Sequence, residues 1–233
     1  MLETRIIPVL LLQNGDLVKG VQFANHKYIG DPINTVKIFN DKEADEIFIL
    51  DISLNDKDEI DFNKIAEMAS ESFMPLGYGG KIKTIQQIEK LFFLGIEKII
   101  INSSAFTNPN LIKEAVKICG SQSIVISIDV KKNNTYEVYI NNGNINTKIN
   151  PIVYAKTMQD YGVGELLVTS IDREGTGNGF DLNLFKSIVN SVDIPVVGSG
   201  GAKSLQDLVT VKKEINISGL AAGNIFFFHG KMK

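Results

Sequence analysis

Apolar and polar positions change along this chain on two length scales. Short, nearly continuous β-branched runs fall at 6–12, 46–51, 74–77, 98–102, 124–130, 165–170, 195–198 and 219–222. Runs with so few polar interruptions suit parallel strands covered on both faces by helices. The stretches between them are longer and amphipathic, and several carry helix-start signals. Asp31-Pro32 offers an N-cap and a proline at the first helical position, and Ile33, Val36, Ile38 and Phe39 follow at helical spacing. Thr84 opens another helix, with Ile85, Ile88, Leu91 and Phe92 on one stripe. Asn110 and Ser204 cap two more, and the segments after Asp61, Asn150 and Asp181 read the same way. Eight strand–helix alternations in 233 residues predict an α/β chain folded as one (β/α)8 barrel over 1–233. After Ala222 the sequence continues only with GNIFFFHGKMK, so the last helix is expected to be short or missing. In that case either the chain is truncated or something else covers the seam between the last strand and the first.

Composition narrows the chemistry. Lys and Arg number 24 against 27 Asp and Glu, a net charge of −3, which leaves no basic excess for nucleic acid. Cys119 is the only cysteine and His26 and His229 the only histidines, which excludes a disulfide, a cysteine zinc cage and a multi-histidine metal site. No apolar run approaches the roughly 18 residues of a membrane span. The opening MLETRIIPVLLL lacks a small-residue cleavage pattern and reads as a first strand. The expectation is a cytoplasmic α/β enzyme with no cofactor, no resident metal and no membrane insertion.

Gly77-Tyr78-Gly79-Gly80 returns as Gly198-Ser199-Gly200-Gly201, and Asn102-Ser103-Ser104-Ala105-Phe106 corresponds loosely to Ala222-Gly223-Asn224-Ile225-Phe226. The echo divides the chain into two halves of four strand–helix units, each with a glycine loop on the same barrel face. Glycines after a barrel strand let backbone N–H groups reach an oxyanion, and a following helix start adds positive potential. One phosphate site would use Gly79, Gly80, Asn102 and Ser103, and a second Gly175, Gly200, Gly201, Ala222 and Gly223. The alternative is that these glycines only allow close helix–strand packing. Asp129, deep in the fifth strand pattern, is the best general acid/base candidate. Asp51, Asp172, Glu174 and Ser170 stand near other strand ends, and Lys19 follows the first strand. Asp51 would equally serve by accepting loop hydrogen bonds, and Lys19 as an ordinary surface lysine.

Taken in order, RIIPVLLLQNGDLVKGVQF, Leu50-Asp51-Ile52, Gly79-Gly80, Ile101-Asn102-Ser103, Ser127-Ile128-Asp129, the run from Thr169 to Thr176 and Gly198-Ser199-Gly200-Gly201-Ala202 resemble the cyclase subunit of imidazole glycerol phosphate synthase. The similarity covers essentially the whole chain. It implies a barrel lyase of histidine biosynthesis that forms imidazole glycerol phosphate. It also implies a glutaminase partner that feeds ammonia into the barrel bottom, towards a bisphosphorylated substrate at the top. The entry ring of that family, an Arg, two Glu and a Lys, falls here on Arg5, Glu46, Lys98 and Glu165. A stability-only salt-bridge layer is the plainer reading of the same four residues.

The resemblance implies an acid/base pair of aspartates, of which the second is kept as Asp129. Three positions depart from the family: the first aspartate falls on Leu11, which carries no proton; Glu174 stands where the family has Asp; and Tyr78 is bulkier than the usual glycine and is expected to crowd the first phosphate loop. A kept ammonia route with altered top chemistry resembles a divergent branch associated with glycosyl amidation. There the subunit and its glutaminase supply ammonia to a separate sugar amidotransferase in surface-glycan synthesis. A working histidine-pathway cyclase and a non-catalytic module that binds a phosphorylated metabolite are the other readings.

Overall fold

The computed structural model describes residues 3–53 and 59–227. Eight parallel strands close on themselves: β1 (Arg5–Gln13), β2 (Ile47–Asp51), β3 (Leu76–Gly79), β4 (Lys98–Ile101), β5 (Ile124–Lys132), β6 (Glu165–Ser170), β7 (Val196–Ser199) and β8 (Gly219–Ala222). Each pairs with its successor, and β8 returns to β1 through Arg5↔Gly219 and Ile7↔Ala221. Helices α1 (Pro32–Asp41), α2 (Phe62–Ser70), α3 (Ile85–Phe93), α4 (Pro109–Cys119), α5 (Pro151–Asp160), α6 (Leu182–Val189) and α7 (Leu205–Glu214) form the outer layer. This is the (β/α)8 barrel that the alternation predicts. A four-residue turn, Asn224–Phe227, follows β8; the expected end of the last helix and His229 lie outside the described residues. Among the described residues no helix is long and apolar enough to cross a membrane.

Local chemistry explains most helix starts. Asp31 accepts the Asn34 N–H at 2.8 Å, and Thr84 and Ser204 form reciprocal capping boxes with Gln87 and Asp207. Asp61, Asn150 and Asp181 are N-caps as expected. The cap expected at Asn110 lies two residues earlier, at Asn108, because Pro109 occupies the first helical position. On α1, Val36 and Phe39 are buried but Ile38 faces water.

The pleat sorts the strands into two cores. Outward side chains meet the helices in one large cluster. Inward ones form a separate small cluster of Ile7, Val9, Phe48, Ile100, Val125, Leu167, Val197 and Ala221. Gly77 makes room for Phe48: a Cβ there would come within 2.6 Å of the phenyl ring. The glycine strands run on into Gly79 and Ser199, about two residues and one residue beyond the ends expected from sequence. Facing also corrects the register of the internal echo. Gly80 lies against the Asp51 carbonyl as Gly200 lies against that of Ser170, so these two correspond, and Gly201 does not match Gly80.

Two antiparallel hairpins, which the strand list does not contain, rise above the barrel. One pairs Asp16–Val21 with Ala24–Gly30 after β1; the other pairs Tyr136–Ile140 with Ile145–Asn146 after β5. The first turns on Gln22 and Phe23, both at positive φ (51° and 63°), the left-handed region that a two-residue hairpin turn requires. The Phe23 ring lies against Gly143 at the tip of the second.

Candidate active site

At the N-terminal end of the barrel, four side chains on β1, β4 and β6 and just before β2 close a ring. Arg5 pairs with Glu46 at 2.7 Å and with Glu165, while Lys98 pairs with Glu46 at 2.8 Å and with Glu165 at 2.7 Å. Positive and negative groups alternate, so each charge has two opposite neighbours and the ring is neutral. Burial alone would lower Arg5, but Glu165 and Glu46 outweigh it and hold the guanidinium above its ordinary pKa. Glu46 is raised as well, here by burial itself, which Lys98 and Arg5 only partly offset. The apolar inner cluster lies directly above, with the Lys98 ammonium 5.9 Å from the centre of the Phe48 ring.

At the C-terminal end, the hairpins and strand ends enclose a cavity of about 350 Å³. Its walls differ. Val9, Leu11, Leu50 and Ile100, from β1, β2 and β4, make one side apolar. On the other side stand Asp129, Thr169, Ser199 and Glu174, from β5, β6, the β6 loop and β7. Asp129 accepts from the Ser127 hydroxyl and from the Asn102 amide, both at 3.2 Å. Its carboxyl is pushed up to about 7 by burial, with Glu174 adding to the effect and Ser127 opposing it. Glu174 is likewise raised to about 7 by burial.

The remaining sequence candidates separate. Gly79, Gly80, Asn102, Ser103, Lys19 and Gly223 line this cavity. Ser103 Oγ accepts from the Asn141 N–H at 3.0 Å, tying the first glycine-loop side to the second hairpin. Gly175 lines a neighbouring depression with Thr176, Lys203 and Asn224. Gly200, Gly201 and Ala222 line neither; Gly201 packs against the Gly179 carbonyl instead. Asp51 borders the cavity, but its carboxylate receives Ser53 N–H at 2.9 Å and pairs with Lys81 at 3.3 Å. Asp172 accepts the Lys132 N–H at 2.7 Å and does not line the cavity. Ser170 is buried outside the cavity because the pleat turns Thr169 inward. Tyr78 does not crowd the first loop: it points into the helix layer, its hydroxyl 3.4 Å from Asp51. Sequence reasoning missed Lys81 and Lys203, each one or two residues beyond a Gly-Gly pair. It also missed Thr169, whose signal was strand parity with Asp129.

Comparison with known proteins follows the same lines. A family model described as histidine biosynthesis protein matches residues 5–233. A Pseudomonas aeruginosa protein provisionally named as imidazole glycerol phosphate synthase subunit hisF2 is 44% identical over 234 residues, 99% of this chain and 93% of its own. A Leptospira interrogans protein, provisionally named as subunit HisF of the same synthase, is also 44% identical over 234 residues, 99% of this chain and 92% of its own. Subunit HisF of imidazole glycerol phosphate synthase from Petrotoga mobilis is 41% identical over 232 residues, 98% of this chain and 92% of its own.

Proposed function

Because the chain belongs to the histidine biosynthesis protein family, and within it to the HisF-type subunits of imidazole glycerol phosphate synthase, we propose that it is the ammonia-receiving half of a glutamine-dependent cytoplasmic complex. One observation carries this reading: the neutral ion ring and the Asp129 cavity stand at opposite ends of one apolar barrel interior. Neutral ammonia crosses such an interior at little cost, whereas an ammonium ion would lose its hydration. Lys98 and Arg5 are the more exposed members of the ring, so they are the side chains that part when a glutaminase docks below. Above, the Gly79–Gly80 side and the Gly175–Lys203 depression hold the phosphates of a bisphosphorylated or sugar-phosphate ligand.

Leu11 favours a finer assignment. With an apolar side chain where the family's first aspartate stands, nitrogen goes into sugar amidation, acetamido to acetamidino, alongside a separate sugar amidotransferase of surface-glycan synthesis. A working histidine-pathway cyclase is the second reading, and the presence of Glu174 in the cavity favours it.

The test mixes the purified chain with a cyclase-type glutaminase and follows glutamate release. Stimulation of the glutaminase is expected, and failure of the two proteins to bind would overturn the proposal. Supplied with ammonium and the histidine-pathway substrate, the chain is expected to turn over about 10²–10⁴-fold more slowly than a two-aspartate relative. Equal rates would remove the sugar-amidation assignment.

A further inference from the structure

We propose that Glu174 is the second proton-transfer group of the upper cavity, working with Asp129 in place of the carboxyl that β1 lacks at Leu11. This rests on the reading of the cavity as the place where nitrogen meets a carbonyl-bearing phosphorylated acceptor.

The geometry points to it in three ways. First, Asp129 and Glu174 come from neighbouring parts of the barrel and share the cavity: Asp129 is in register with Thr169 on β6, and Glu174 follows five residues later. Second, the Glu174 backbone is held from both sides. Its N–H donates to the Ser170 carbonyl at 3.0 Å, and its own carbonyl accepts from Gln22 N–H of the first hairpin at 2.9 Å. Its carboxyl, by contrast, has no hydrogen-bond or ion-pair partner among the described residues. Third, the Thr169 and Ser199 hydroxyls line the same wall. Thr169 and Ser199 as whole residues are only 7% and 6% exposed, and their hydroxyls have no hydrogen-bond partner among the described residues. Two hydroxyls and an unpaired carboxyl that line one cavity are polar groups a ligand there could engage.

The apolar wall has a part in this. Leu11, Val9 and Leu50 make the facing wall apolar, and burial raises both carboxyls, with Glu174 adding to the effect on Asp129. Other charged and titratable groups on the cavity are Lys19 and His26 from the first hairpin, the Lys81–Asp51 pair, and Lys83.

With one of the two carboxyls protonated and the other ionised, the pair meets the proton count of nitrogen addition. As the ammonia nitrogen bonds to the carbonyl carbon, the C=O π pair moves to oxygen. The ionised carboxyl takes one proton from nitrogen and the protonated carboxyl gives one to oxygen. The product is a neutral carbinolamine, and the pair again holds one proton.

Two measurements on the full chain test the inference, using Glu174→Gln, Glu174→Asp and Asp129→Asn with melting curves as a check of folding. Side-chain carboxyl NMR should show Asp129 titrating near neutrality in the wild type and measurably lower in Glu174→Gln. An unmoved Asp129 overturns the pairing. With ammonium and the histidine-pathway substrate or an acetamido-sugar phosphate, Glu174→Gln should lose at least 100-fold in kcat with little change in KM, and Glu174→Asp should regain most of it. Wild-type kcat in Glu174→Gln overturns the inference. So does a wild type that turns over neither acceptor while still stimulating a glutaminase, although the ammonia-carrier reading then stands. Conversely, if no glutaminase binds but ammonium-driven turnover still depends on Glu174, the carrier reading fails and the proton pair remains.

Discussion

The two ends of the barrel treat buried carboxylates in opposite ways. Below, Glu46 and Glu165 each sit between Arg5 and Lys98, and the ring balances to zero. Above, among the described residues, Asp129 has a hydroxyl and an amide as side-chain partners, and Glu174 has neither cation nor donor. The same residue types are thus neutralised at one end and left protonatable at the other. Burial raises carboxyls at both ends, but below, Lys98 and Arg5 partly offset it, whereas no cation does so for Asp129 or Glu174 among the described residues.

Breaking the lower end should have the largest effect. Lys98→Met leaves two buried carboxylates with one cation, and a loss of about 3 kcal/mol is expected in denaturant unfolding. A loss below about 1 kcal/mol would mean that the ring is loosely held.

The upper end should respond with the opposite sign. The folded-state pKa of Asp129 lies above its unfolded value, so the native state binds more protons between pH 4 and 7 and stability falls as pH rises through that window. Asp129→Asn should therefore be neutral near pH 4 and stabilising by about 2 kcal/mol at pH 8, while turnover is lost. Melting curves at both pH values decide it, and destabilisation at pH 8 would contradict the contrast.

Smaller effects probe the roof. Gly175 sits at φ +70° with the Gly20 carbonyl where a Cβ would go, so Gly175→Ala should push the first hairpin away. A cost of about 1–2 kcal/mol and weaker phosphate-ligand binding by calorimetry are expected. Tyr136→Phe removes the 2.9 Å hydrogen bond from the second hairpin to Asp181, the cap of α6, and should cost about 1 kcal/mol with the ion ring untouched.

The lower end was legible through the family resemblance, which falls on Arg5, Glu46, Lys98 and Glu165 at or beside strand starts. Arg5, Lys98 and Glu165 open runs whose inward parity is set by the alternation of the pleat. Asp129 was legible for the same reason. The roof was not. Its hairpins are short and polar, though Asn142-Gly143 after Tyr136–Ile140 is a turn signal that could have shown the second. Ser170 and Thr169 were confused because a one-residue slip exchanges inside for outside. Tyr78 was misplaced for the same reason: counting glycines says nothing about which way the residue between them faces.

The touching hairpin tips and the ion ring stand at the two ends of the interior, and on the proposed ammonia-receiving reading each would serve as a shutter. A chamber so built would never need both shutters apart together: the upper would admit an acceptor and shut before the lower let nitrogen through. Sequence of arrival, acceptor first and nucleophile second, would then follow from architecture alone, and so would the exclusion of bulk solvent as a competing reactant.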